Sequence, residues 1–277
     1  ELAMSSGSID SEVKFLKNPA PLPSIDGQNA PFGPIGEIKS AKFSPNSSIK
    51  PIERAYYDTD LKAEDAVMKL YNSGIEISKI QKCFSIGMFG KNRKLVPTKW
   101  SITATDQIIS NELMLDILNF DILDQFLVFR FDHLGNMFSV ILFPHRWLFE
   151  MQEAWHDKHS IGFGSDYENA KGIDHPPTIA GAYFAGKLAV VEYLEKIQKQ
   201  SGVMIFREIQ PEYAVPVGVW QVREGIREAM KSSPQEVFSL NDAIDLATKR
   251  MSISKNEWLS HGKMLKLIEQ TSMSDFF

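Results

Sequence analysis

The chain has 277 residues, of which 43% are hydrophobic and 23% charged, and its formal net charge is −5. That composition can fill one large globular domain or two ordinary ones, and the acidic balance excludes a body that binds DNA by counterion release over its whole surface. Cys83 is the only cysteine, which excludes an internal disulfide framework and any multi-cysteine zinc site. With no secretory pattern and no apolar run of membrane-spanning length, an intracellular, cytoplasmic protein is expected.

Residues 1–50 are rich in Pro, Gly, Ser and Asn, as in Pro19-Ala20-Pro21-Leu22-Pro23, and read as an irregular segment packed on the body. Asp60 is placed to cap a helix over residues 61–71, where Ala63, Ala66, Val67 and Leu70 form an apolar stripe. Ser78 starts a second short helix toward Ile86, with Cys83 as a buried thiol. Gly87 and Gly90 flank a loop that carries Lys91, Arg93 and Lys94, and residues 95–103 extend it toward a helix near 106–118. Two β-rich runs, 126–131 and 138–143, are separated by Asp132-His133-Leu134-Gly135-Asn136, and this turn chemistry predicts an antiparallel hairpin. The second half opens with 144–155, for which a helix over 147–155 is one reading, and with 161–177 as a loose, Gly-bearing connection.

The longest predicted helix spans 179–198, with Ala182, Ala185, Ala189, Val190 and Leu194 at helical spacing. A strand at 203–209 closes at Pro211, and a further helix follows over 218–230. Ser239 with Asp242, and Ser254 with Glu257, are capping-box starts for two C-terminal helices. No internal repeat is present. The sum is an α+β fold, with mixed helices, antiparallel hairpin elements and no regular βαβ alternation.

Three groups of residues carry candidate chemistry. Lys91, Arg93, Lys94 and Lys99 lie beside Trp100, which offers phosphate-binding charge next to a stacking ring and suits DNA. Burial of Pro97 and Trp100 in the core is the competing reading. Arg207, Glu208 and Glu212 precede Arg223 and Glu224 across a proline turn; they suit either a catalytic carboxylate with an anion clamp or two crossed buried salt bridges. Glu150, Glu153 and His156 would share one helical face and could hold a divalent metal for phosphodiester chemistry, the one cofactor that the residues suggest. No Gly-rich phosphate loop of the ATPase type is present.

The chain ends Gln270-Thr271-Ser272-Met273-Ser274-Asp275-Phe276-Phe277. This Q-x-x-M-x-x-F-F run resembles the box with which replication and repair proteins dock on the sliding clamp PCNA. Gln270, Met273, Phe276 and Phe277 are its expected contact residues. One helical or 3₁₀ turn gathers Met273, Phe276 and Phe277 on a single face as an apolar plug. The alternative is that the two rings staple back onto the last helix.

Several longer segments resemble the archaeal Nre family of DNA repair proteins: Leu95-Val96-Pro97-Thr98-Lys99-Trp100-Ser101-Ile102-Thr103, Gly181-Ala182-Tyr183-Phe184-Ala185, Arg207-Glu208-Ile209, and Pro216-Val217-Gly218-Val219-Trp220-Gln221-Val222-Arg223-Glu224. Lys99 stands where the family pattern has Arg, and Phe184 where it has Tyr. The resemblance implies a role in the DNA damage response, with PCNA and DNA as partners and no catalytic mechanism to place on residues. It also implies a division into 51–150, of N-terminal family type, 151–269, of C-terminal type, and a docking tail at 270–277. Because family members carry a region ahead of Glu1, a truncated N-terminus is expected. Two other functions stay open at this stage: a metal-dependent, structure-specific nuclease, and an adaptor without catalysis.

Overall fold

The structure, a computed structural model, describes residues 2–18, 36–44, 47–157, 160–173, 175–213 and 218–268. Two compact units are distinguished: Glu1–Ile109 with Val215–Gly218, and Ser110–Ala214 with Val219–Phe277.

The first unit is mainly helical. Strands β1 (Ser11–Phe15) and β2 (Ile38–Phe43) pair antiparallel, so the expected irregular segment contains a two-stranded sheet. Both strands are exposed along their length, which hides them from any reading based on apolar alternation. Helix α1 (Lys50–Tyr57) carries Pro51 in its first turn, where a missing N–H costs nothing. Helix α2 (Ala63–Asn72) buries Ala66, Val67 and Leu70, as its stripe predicts. Its entry differs from expectation, since Asp58 rather than Asp60 supplies the side-chain oxygen that accepts from Leu61 N at 3.0 Å.

Helix α3 (Ile77–Ser85) buries Ile80 and Cys83, and burial pushes the Cys83 thiol up to about 11. Helix α4 (Thr98–Ile117) begins earlier than expected. The Pro97 carbonyl accepts from Trp100 N at 2.9 Å and Ser101 N at 3.0 Å, so the proline opens the helix and Lys99 and Trp100 lie in its first turn.

The second unit is built on a six-stranded sheet. Its strands are β3 (Phe126–His133), β4 (Asn136–Phe143), β5 (Leu148–His156), β6 (Ile161–Asn169), β7 (Gly202–Ile209) and β8 (Gln235–Val237). They lie in the order β6-β5-β7-β4-β3-β8, antiparallel throughout except for the parallel β5–β7 pair. Leu134 (φ 48°) and Gly135 (φ 73°) form the two-residue turn between β3 and β4, and both left-handed conformations match the primed turn that strand twist favours.

Helices α5 (Ala180–Ile197) and α6 (Trp220–Lys231) cover one face, packing on Phe138, Val140, Phe149, Met151 and Ile205. Helices α7 (Leu240–Thr248) and α8 (Lys255–His261) cover the other, on Ile141, Met204 and Phe206, with Trp258 fully buried. Ser239 and Ser254 cap α7 and α8 as predicted, accepting from Asp242 N and Glu257 N.

The fold is therefore mixed α+β. Two elements differ from expectation: residues 148–156 form a strand and not a helix, and residues 161–169 form a strand and not a loose connection. No helix among the described residues is long and apolar enough to cross a membrane.

The contact between α6 and the sheet is tightest at Gly225, where an added Cβ would lie 2.5 Å from the ring of the fully buried Phe138. Gly225→Ala should cost about 1–3 kcal/mol by overpacking, despite the better helix propensity of Ala. Urea denaturation checks this; an unchanged or higher midpoint would contradict the packing.

Candidate functional site

Arg207 and Glu208 are consecutive in β7 and point to opposite faces of the sheet. On the α5/α6 face, Arg207 donates to Glu153 Oε1 at 2.5 Å, to Asn136 Oδ1 at 3.0 and 2.7 Å, and to Gln221 Oε1 at 3.2 Å. Asn136, Glu153 and Arg207 come from three neighbouring strands and Gln221 from α6, so the guanidinium ties the helix to the sheet.

Lower on the same face, Lys187 donates to Glu168 at 2.7 Å, and Glu168 also accepts from Trp147 Nε1 at 2.9 Å and the Tyr183 hydroxyl at 2.7 Å. Burial, reinforced by the Glu168 carboxylate, pushes the Tyr183 hydroxyl far above its ordinary value. Asp166 accepts from Ile179 N at 2.8 Å and Thr178 Oγ1 at 2.9 Å, which fixes the entry to α5.

On the α7/α8 face, Glu208 accepts from Gln210 Nε2 at 2.6 Å and Ser252 N at 3.0 Å, from the Ser252 hydroxyl, and lies 2.9 Å from His156 Nε2. The Ser252 hydroxyl lies 3.2 Å from that same Nε2. A nucleophile relay needs the serine and the carboxylate on different imidazole nitrogens. Here both meet one nitrogen, and the group acts as a staple between β5, β7 and the segment after α7.

Glu150, also on this face, is fully buried. Its Oε1 accepts from Lys263 N at 2.6 Å, Met264 N at 3.4 Å and Ser165 Oγ at 3.2 Å, which anchors the helical residues 264–268. Burial outweighs these hydrogen bonds and raises its carboxyl above the ordinary value.

This geometry separates the sequence candidates. Glu150 and Glu153 are three apart in a strand, so they project from opposite faces, and His156 joins Glu208 instead of Glu153. Among the described residues no group of three or more His, Cys, Asp or Glu is arranged to hold a metal ion. Arg223 donates to Glu224 at 3.2 Å, and Arg227 bridges Glu224 and Glu192, which pins α6 to α5 and forms no clamp with Arg207. Glu212 is exposed in the turn after β7.

In the first unit, a cavity of about 320 Å³ has Lys62, Lys91, Asn92 and Lys94 as its polar lining and Phe84, Phe89 and Val96 among its apolar lining. Arg93 lies outside this lining; it donates to the Tyr56 carbonyl and sits 4.9 Å from the Tyr56 ring centroid. Lys99 Nζ lies 5.6 Å from the Trp100 ring, which is 57% exposed and not buried in the core. Gln270, Met273, Phe276 and Phe277 fall outside the described residues.

Sequence reasoning missed Lys62 and Lys187. A signal for Lys187 existed, since it is the one cation between Ala180 and Val191 in an otherwise apolar or small-residue helix.

The archaeal Nre N-terminal family model matches residues 1–161, and the archaeal Nre C-terminal model matches residues 168–276. The chain belongs to the archaeal Nre family. It is 34% identical to DNA repair protein NreB of Archaeoglobus fulgidus over 100% of this chain and 72% of that protein. It is 35% identical to DNA repair protein NreA of the same organism, over 99% of this chain and 70% of the relative. DNA repair protein NreA of Haloferax volcanii is 32% identical over 91% of this chain and 63% of its own length. No solved structure gives a significant match. The Nre N-terminal match covers residues 1–161, so the segment expected to be truncated within 51–150 carries the matched family region from residue 1 onward. The six-stranded sheet draws β3, β4 and β5 from the Nre N-terminal match and β7 and β8 from the C-terminal one.

Two tests follow from the buried charges. Between the ordinary carboxyl value of 4.5 and the raised one, folded Glu150 keeps a proton that the unfolded chain has lost, so its contribution to stability falls as pH rises through that window. Glu150→Gln should flatten this dependence without lowering the melting temperature at neutral pH. Gln152 can turn its amide to present Oε1, which has no partner, to the new NH₂. Melting curves across the pH range check it; an unaltered pH dependence would contradict the assignment.

Lys187→Met leaves Glu168 buried without its cation and should cost about 3–5 kcal/mol. The double variant Lys187→Met/Glu168→Gln should recover part of that loss in chemical denaturation. If the two substitutions add without coupling, the pair does not interact as described.

Proposed function

We propose that this chain is a DNA repair factor that works tethered to the sliding clamp PCNA through residues 270–277. The observation that carries this reading is the terminal Q-x-x-M-x-x-F-F on a body whose relatives are named DNA repair proteins. The spacing of Met273, Phe276 and Phe277 would gather them on one face if they formed a helical or 3₁₀ turn on a partner, and such aromatic anchors are each worth about 2 kcal/mol or more in an interface. A tether suits a chain of net charge −5, because it supplies local concentration at DNA that the body's overall charge opposes. The last described residues support the same reading. Residues 264–268 are held to β5 by Glu150, so the tail begins next to a fixed point.

For the body, the closed hydrogen bonds around Glu153, Glu168 and Glu208 favour a docking platform over a metal-dependent nuclease. Each of these carboxylates already accepts from protein donors that would have to be displaced by a metal.

The double substitution Phe276→Ala/Phe277→Ala should weaken binding to PCNA by at least a hundredfold in calorimetry, with no change in the melting temperature of the body. Unchanged affinity would remove the tether.

A further inference from the structure

The cavity of the first unit is the feature that no part of the clamp reading uses. Its lining contains Lys62, Lys91 and Lys94 and no acidic residue, in a chain whose overall charge is −5. Among the described residues none of these three lysines has an ion-pair partner. The volume, about 320 Å³, falls at the lower end of the roughly 300–1,000 Å³ typical of small-ligand sites.

The rim is held in place. Val96 N donates to the Ser85 carbonyl at 2.8 Å, and Ser85 Oγ donates to the Val96 carbonyl at 2.7 Å, closing the loop that carries Lys91 and Lys94 against the end of α3. Met88 N, bonded to the Cys83 carbonyl at 3.0 Å, fixes the start of the same loop. Phe89, 4% exposed, gives the cavity an apolar wall that is part of the unit's core.

We propose that this cavity binds one nucleotide unit. Lys62, Lys91 and Lys94 take the phosphate, and Phe84, Phe89 and Val96 accommodate the sugar or base. The pairing of charge and apolar surface is what decides the ligand class. Three lysines lining one cavity together with apolar walls raise the local positive potential, which favours a compact anion. An inorganic anion, however, would leave the apolar lining unused, whereas a nucleotide covers both. The phosphate can come from a single-stranded DNA segment or from a free nucleotide, and the two sources are separable by experiment.

The probe is a fluorescein-labelled, 5′-phosphorylated ten-residue oligothymidylate, added to the full chain without PCNA and followed by anisotropy across a salt series. The triple charge reversal Lys62→Glu/Lys91→Glu/Lys94→Glu lies on the surface and should leave the melting temperature unchanged. It should lower affinity at least tenfold and reduce the salt slope by about 0.7, the value for one single-strand phosphate contact. Competition by thymidine monophosphate assigns the site to free nucleotides; failure of that competition, with oligonucleotide binding retained, assigns it to the strand. Either outcome supports the proposal.

Three results overturn it: equal affinity for the wild type and the triple reversal; inorganic phosphate displacing the probe as well as the mononucleotide does; or polyglutamate, which lacks phosphate, competing as well as either. The lysine reversal should leave PCNA binding intact, and the Phe276→Ala/Phe277→Ala variant should leave nucleotide binding intact. The two proposals can therefore fail separately.

Discussion

The second unit depends on one constraint: strand β7 is buried along nearly its whole length on both faces. A strand flanked by β4 and β5 and covered by helices on each side has no solvent to receive its polar side chains. Yet its end carries Arg207 and Glu208, one ionisable side chain on each face, both buried. Removing either from water costs several kcal/mol unless donors and acceptors are supplied around it. Much of the surrounding polar structure meets that requirement. Asn136, Glu153 and Gln221 converge on Arg207, while Gln210, His156 and Ser252 converge on Glu208. Those partners come from neighbouring strands, from α6 and from the segment after α7, so the charges fix how the helices dock.

The same logic extends to the other buried acids. Glu168 collects Lys187, Trp147 and Tyr183, and Glu150 collects the backbone at the start of residues 264–268. Buried carboxylates can mark catalysis or can mark architecture, and their partners distinguish the two. Here each acid meets N–H, O–H or ammonium donors from elements that must be held together. The first unit presents the opposite arrangement, in which three lysines at a cavity rim have no anionic partner among the described residues. Unmet charge at a preformed cavity is available to a ligand; charge that is already paired is available only to the fold.

Much of the fold was legible in the sequence where an element has one buried face or a local chemical signal. The Leu134-Gly135 turn, the apolar stripe of α2, the Ala-rich α5 and the serine caps of α7 and α8 all rest on contacts within a few residues, which local pattern encodes. Strand β5 was not legible. Its sequence, Leu-Phe-Glu-Met-Gln-Glu-Ala-Trp-His, is rich in good helix formers, and burial on both faces erases the alternation that identifies a strand. Strand β6 failed for a related reason. Gly162 and Gly164 look like loop residues, but they leave room for the Trp155 ring and the Ile179 side chain. Glu150, Glu153 and His156 share a face only in a helix, and the strand Leu148–His156 removes that face.

The sequence by itself determined the family, the α+β class and the chemistry of the C-terminal peptide, because long motifs, caps and turns are local statements. Tertiary structure alone decided the roles of the charged residues. Strand pairing places Glu153 beside Arg207 and sends Glu208 to His156 across 52 positions of chain. The fold of α2 against the 87–96 loop brings Lys62 to the cavity that Lys91 and Lys94 line. Such meetings depend on pairing register and on which face a side chain takes, and a shift of one residue in a strand reverses that face. Residue type fixes what a group can do; only the register fixes what it meets.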